Sequence, residues 1–187
     1  MYKYLALFLI IGISNAGVLL TNGDFEQELD IGWTQRIQGS NSYDTLNRAT
    51  GYDPDPDYEV KVRKYDAAYM KLYQTVNIPT TDLEFSVNAN LYAYEYDPAD
   101  TFWASASVTL FYLDNDNNVL GQTRICYNSP HCPYTNSDFF HMIEATSPNN
   151  WHNYSFNIDD ELVELPGVNP ADIAKIEVAL YDTTNGC

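Results

Sequence analysis

Tyr92, Tyr94 and Tyr96 recur at every second position, a spacing that on an extended backbone sets three rings side by side on one face. Trp103 opens the next apolar run, and Gln122 and Arg124 repeat the two-residue spacing one segment further on. Aromatic rings stack on the C–H faces of sugars, while amides and guanidinium groups bond hydroxyls. Tyr92, Tyr94, Trp103, Gln122 and Arg124 therefore form a candidate carbohydrate-binding set. The same tyrosines would also serve under a covering loop or at an assembly interface, where tyrosine is enriched. Asp24 and Glu26 flank Phe25 and project to one side of an extended segment. Two hard oxygen ligands so placed suit Ca²⁺; the alternative is that they only cap a turn. Cys126 and Cys132 enclose a Pro-bearing loop, Tyr-Asn-Ser-Pro-His, and a local disulfide is the expected pairing. Zinc held by Cys126, His131 and Cys132 would be the sharper reading, but the spacing matches no familiar zinc pattern. Cys187 is then left over, which implies an intermolecular bond or a missing partner.

Catalytic signals are poor. There is no Gly-x-Ser-x-Gly elbow and no zincin helix, and His131, His141 and His152 have no convincing nucleophile beside them. Glycoside hydrolysis needs two carboxylates set across a cleft, but with 26 acidic residues some such pair arises by chance. The sequence therefore reads as a protein that is not an enzyme. Asp53-Pro-Asp-Pro-Asp57 is a stiff acidic loop, because each proline holds its predecessor extended. Asp114-Asn-Asp-Asn-Asn118 lacks the glycine and distal glutamate of an EF-hand and reads as an ordinary hairpin turn. Asn153-Tyr-Ser155 fits a glycosylation sequon, meaningful only in a host that modifies such sites.

The elements that must position these residues are strands. Residues 1–16 read as a signal peptide: Lys3 gives a basic start, Leu5 to Ile13 an apolar stretch, and Ser14-Asn-Ala16 the small residues a signal peptidase requires. That stretch is far short of the roughly 20 residues that span a bilayer. Residues 17–187 then form one secreted, extracellular domain, long enough for a two-layer core. The full chain carries 9 basic against 26 acidic residues, a net charge of −17. Such a surface repels phosphate backbones and anionic lipid, so neither nucleic acid nor membrane is an expected partner. No sustained helical periodicity is present. Apolar alternation recurs between turn clusters, over Val18–Thr21, Glu59–Arg63, Tyr69–Ile78, Leu83–Tyr96, Ala104–Leu113, Val119–Cys126, Trp151–Ile158 and Ile173–Tyr181. This predicts an all-β, two-sheet antiparallel sandwich. Its core is expected to hold Leu20, Phe25, Trp33, Leu72, Val76, Phe85, Val87, Leu91, Val108, Leu110, Tyr154, Phe156, Ile176 and Val178.

Three stretches carry a resemblance. Gly17-Val-Leu-Leu-Thr-Asn-Gly-Asp-Phe-Glu26 followed by Gly32-Trp33, Tyr69-Met-Lys-Leu-Tyr-Gln-Thr-Val76, and Trp151-His-Asn-Tyr-Ser-Phe156 resemble jelly-roll carbohydrate-binding modules of secreted xylanases and glucanases, members of the galactose-binding-like β-sandwiches. The resemblance implies a jelly roll, a polysaccharide or glycan as partner, and a structural calcium on Asp24 and Glu26 where the N-terminal segment meets the final strand. It also implies one more strand than this chain supplies after Ile176-Glu-Val-Ala-Leu-Tyr181: Asp182 to Cys187 reads as a turn. Either the sequence is truncated there, or the closing strand comes from another molecule: a sandwich lacking it exposes unpaired N–H and C=O groups, a gap that strand addition from a neighbour would fill. The alternative function is thus a structural subunit of an extracellular assembly, joined through a donated strand or through Cys187.

Overall fold

The computed structural model describes residues 4–8, 19–52, 56–95 and 101–186. Among the described residues, eleven strands make two sheets. The first has the order β10 (Trp151–Asn157), β6 (Glu84–Asn90), β1 (Tyr4–Phe8), β4 (Tyr58–Arg63), β3 (Thr45–Thr50). The second runs β2 (Thr34–Gln38), β5 (Ala68–Asn77), β11 (Lys175–Thr184), β7 (Ala104–Leu113), β8 (Val119–Asn128), β9 (Phe140–Glu144). The all-β sandwich is therefore present. Its pairing is antiparallel except between β8 and β9. Residues 129–139 carry the chain back across the sheet before β9 begins, the long crossover that a parallel pair requires.

Alternation decides which side of each strand is buried. On the second sheet Leu72, Val108, Leu110, Ile125, Val178 and Leu180 face inward; on the first, Val60, Val62, Phe85, Val87 and Ala89 meet them. Each of these side chains except the smaller Ala89 contributes about 1.5–3 kcal/mol when withdrawn from water. Of the predicted core, Val76, Tyr154 and Phe156 are only partly buried and pack on its margin; the others are buried.

The resembling N-terminal segment acts as a plug at one end of the sandwich. Asn22, buried and in the left-handed region (φ 52°), accepts the Gln27 N–H on Oδ1 at 2.8 Å and donates from Nδ2 to the carbonyls of Gln27 and Glu28. Its own carbonyl accepts the Trp33 indole N–H at 2.8 Å, and that ring packs on Phe25 at 5.0 Å. Gln74 of β5 then grips the plug: Oε1 accepts the Thr21 N–H at 2.7 Å and Nε2 donates to the Thr21 carbonyl at 2.8 Å. Gly32, at φ 87°, completes the fit. A Cβ there would stand 2.8 Å from the Thr21 carbonyl oxygen.

Several expectations are corrected. Leu19 to Thr21 is a turn rather than a strand, because its backbone is held by a side chain instead of a ladder; Val18 lies outside the described residues. The strand expected through Tyr96 stops at Asn90, and Tyr96 itself also lies outside the described residues. Asp182 to Thr184 continues β11 rather than forming a turn, paired on one side to Met70, Tyr69 and Ala68 and on the other to Ala106, Ser105 and Ala104. Short strands β2, β3 and β9 and the helix α1 (Ile158–Leu162) were not anticipated. The helix has a readable start: Asn157 Oδ1 accepts the Asp159 N–H at 2.9 Å, ahead of an acidic first turn.

Cys126 and Cys132 are free thiols, so the expected disulfide is absent. Cys126 is fixed in the β8 ladder, where its Sγ accepts from Asn128 Nδ2 at 3.5 Å. Burial pushes its thiol up to about 12, far from the thiolate that disulfide exchange needs. Cys187 and Asp53 to Asp55 lie outside the described residues. No helix among the described residues is long and apolar enough to cross a membrane.

Candidate functional site

The outward face of the second sheet holds the densest grouping of rings and charges. Strand registers align it in rows. Tyr73, Ala179, Thr109, Arg124 and Met142 stand opposite one another across β5, β11, β7, β8 and β9. The next row is Thr75, Glu177, Phe111, Gln122 and Phe140; the row on the other side begins Lys71, Tyr181, Ser107, Cys126. Small residues occupy the middle of this face, and Ala179, Ser107 and Thr109 are covered by the larger ones around them.

Arg124 is the centre of the arrangement. Its guanidinium carbon lies 4.6 Å from the Tyr134 ring centre, 5.1 Å from Phe140 and 5.0 Å from Tyr181. Such cation–π contacts strengthen as water is excluded. Nε and Nη2 both donate to Gln122 Oε1 at 3.2 Å, and buried Nη1 has no hydrogen-bond partner among the described residues. Tyr181 also touches Tyr69 and Phe111, with centroids at 5.7 and 6.4 Å. Burial raises its hydroxyl above the usual tyrosine value, keeping it a neutral donor, with Arg124 opposing the shift. Across the face, Lys71 Nζ meets Glu177 Oε1 at 2.7 Å. Gln122 and Phe140 also line a depression of about 520 Å³, with Phe139, Gly167, Val168 and Asp172. The face and the depression are thus continuous.

Of the residues read from sequence, Gln122, Arg124 and Trp103 come together. Trp103 reaches the face through Tyr134, whose ring it meets edge-on at 5.3 Å. Tyr92 and Tyr94 do not. With β6 ending at Asn90, Tyr92 stacks instead on Tyr127, which packs against the core from the side of β8 opposite Arg124. Tyr94 is exposed. Tyr69, Lys71, Phe111, Phe140, Glu177 and Tyr181 were missed. The signal for most of them was present: each alternates with a core position on its own strand.

The calcium expectation meets a different cation. Arg48 of β3 donates from Nε to the Phe25 carbonyl and from Nη2 to the Glu26 carbonyl, the latter at 2.7 Å. Its guanidinium stacks 3.3 Å over the Tyr58 ring. Glu26 Oε1 accepts the Tyr58 N–H at 2.9 Å, and Asp24 Oδ1 the Glu26 N–H at 3.3 Å. These residues do not fit a calcium cage: two carbonyls that could join it are taken by a guanidinium, and the carboxylates cap backbone. Nor do any three His, Cys, Asp or Glu side chains among the described residues group to hold a metal; His131, the third member of the zinc alternative, pairs with Glu95 at 3.1 Å. We predict that Arg48→Ala lowers stability by about 2–3 kcal/mol, from two charge-assisted hydrogen bonds and a cation–π contact. A chelator should leave the wild-type melting temperature unchanged. A fall in melting temperature on chelation, read by differential scanning fluorimetry, would reinstate the metal.

The sequence matches no family model and no curated protein. Among solved structures, the chain is similar to the enzymatically active domain of bacteriophage CBA120 tailspike protein 4, at a TM-score of 0.45 and 18% identity. The likeness covers 93% of this chain and 19% of that one. It is a likeness of β-rich fold. The reading of the chain as a non-enzyme is withdrawn here, because it rested on missing motifs alone and a missing motif excludes no activity; the solved structure just described is that of an enzymatically active domain. The likeness assigns no reaction to this chain.

Proposed function

We propose that this protein binds a carbohydrate on the outward face of its second sheet. The observation that carries the reading is Arg124, buried among three rings, tied to Gln122, and left with one donor nitrogen unmatched among the described residues. A buried donor without an acceptor is costly, and a ligand hydroxyl would supply one once a covering ring turns aside, since Nη1 is closed off from solvent. Rings at Tyr181, Tyr69, Phe111 and Phe140 offer flat apolar surface for pyranose C–H faces, and Lys71 and Glu177 offer charged partners for hydroxyls. The large acidic excess argues for a neutral sugar over a polyanionic one.

Affinity electrophoresis in gels containing soluble glucans, xylans or mannans, alongside a glycan array, tests this. Tyr181→Ala should weaken binding about ten-fold, equivalent to one lost stacking contact of about 1.4 kcal/mol. Gln122→Ala should weaken it further by freeing the guanidinium. Uniform non-binding overturns the proposal. So does binding that survives both substitutions and disappears with Tyr92→Ala and Tyr94→Ala.

A further inference from the structure

Two glycines let the walls of the depression beside Gln122 and Phe140 pack closely. A Cβ on Gly121 of β8 would stand 2.4 Å from Val168 Cγ2, and one on Gly167 would stand 2.5 Å from the Phe139 ring. The Phe139 backbone is pinned on both sides. Its carbonyl accepts the Gln122 N–H at 2.9 Å, and the carbonyl of neighbouring Asp138 accepts the Gly167 N–H, also at 2.9 Å. The ring therefore lies against Gly167 while the residue stays 54% exposed. A held, half-bare ring at the edge of a hollow is a stacking platform of the same kind as Tyr181.

The polar groups beside that ring suit a hydroxyl. A guanidinium only donates, so Arg124 fixes the Gln122 amide with Oε1 toward itself. Nε2, the other end of that amide, donates to nothing among the described residues. Asp172 accepts from Asn169 Nδ2 on Oδ2 at 3.1 Å, which leaves Oδ1 as an acceptor. Gln122, Asp172 and Phe139 all line the depression, whose volume of about 520 Å³ falls in the roughly 300–1,000 Å³ range of ligand sites. The backbones that carry Tyr181 and Phe139 stand three strand spacings apart, about 14 Å, since β7 and β8 lie between β11 and β9. A span of that order suits several linked sugar units and not one.

Resting on the reading of this face as a carbohydrate site, we propose that the depression is a second binding position of that site. The ligand is then a chain of several neutral sugar units, running from Tyr181 across Gln122 onto Phe139. The unit in the depression stacks on Phe139, accepts from Gln122 Nε2 and donates to Asp172 Oδ1. The Asp172 carboxylate disfavours an acidic unit there by like-charge repulsion.

Cello-, xylo- and manno-oligosaccharides of two to six units, titrated calorimetrically into the full chain, test this. At least one series should bind, with affinity rising about ten-fold or more from two units to six as the second ring is reached. For the six-unit member, Phe139→Leu should weaken binding about five- to ten-fold, while Phe139→Tyr, which keeps a ring, should stay within about two-fold of wild type. Asp172→Asn keeps an oxygen for Asn169 and should weaken binding about three-fold through the lost charge. If Tyr181→Ala weakens binding and neither Phe139→Leu nor Asp172→Asn does, the depression is no part of the site: this proposal falls and the carbohydrate reading of the face stands. Two units that bind as tightly as six overturn the chain-length assignment in the same way. Binding by none of the three series overturns both.

Discussion

Replacing Asn22 by alanine is expected to lower stability by about 3–4 kcal/mol, roughly 6–16 °C in melting temperature for a domain of this size. Two effects add. The side chain is buried and spans the loop in both directions, so its loss strands the Gln27 N–H and the Gln27 and Glu28 carbonyls. Asn22 also sits at φ 52°, a conformation that asparagine tolerates and alanine resists by about 1 kcal/mol. Comparing Asn22→Gly with Asn22→Ala separates the two. Glycine removes the hydrogen bonds but not the backbone freedom, so it should fall between wild type and alanine. Chemical denaturation followed by Trp33 fluorescence, with Trp103 and Trp151 replaced by phenylalanine, reads both, because the Trp33 indole donates to the Asn22 carbonyl. Equal stability of all three proteins would mean that the plug contributes nothing to the fold.

That loop shows what the sequence made legible. The Asn22-Gly-Asp-Phe-Glu26 and Leu72-Tyr-Gln74 stretches stood out as a resemblance, and the structure gives each a mechanical reason: one ties the plug, the other grips it. Sheet class and core were likewise readable, since alternation on β5, β7 and β11 puts Leu72, Leu110 and Val178 on one side without ambiguity. The candidate site was only half legible. Gln122 and Arg124 were found because both lie on Gly121–Asn128, the part of β8 that pairs with β7 without a register shift. Tyr92 and Tyr94 misled because periodicity of two was extended past Asn90, where pairing with β10 ends at Trp151. Alternation says which residues share a face but not how far hydrogen bonding continues. Tyr181 was passed over as part of a core strand, although the same alternation that buries Leu180 turns its neighbour outward. The place of Tyr4–Phe8 was beyond sequence reading altogether: a leader and an interior strand share one composition.

The second large effect is expected beneath helix α1. Thr123 of β8 donates from Oγ1 to Glu161 Oε1 at 2.9 Å and lies 3.0 Å from the fully buried Tyr112 hydroxyl. His141 Nδ1 reaches the same carboxylate oxygen from β9. One buried carboxylate thus ties the short helix to the edge of the second sheet. Burial drives the Tyr112 hydroxyl well above the ordinary tyrosine value, so it remains protonated and able to donate along the chain. Glu161→Ala leaves the Thr123 hydroxyl and His141 imidazole without their common acceptor and opens a cavity under the helix. A loss of about 3 kcal/mol follows from stranded buried donors. Glu161→Gln keeps one carbonyl oxygen for Thr123 and should lose about half as much. His141→Ala alone should cost less than Glu161→Ala, because Thr123 still holds the carboxylate. In a double-mutant cycle the coupling between positions 141 and 161 is expected at about 1–2 kcal/mol. Additive effects at these two positions would show that His141 and Glu161 stabilise the sheet edge independently, with no shared network. Depletion of amide protection confined to α1 and β9 in Glu161→Ala, with β7 and β11 still protected, would locate the loss at that edge and distinguish local release from global unfolding.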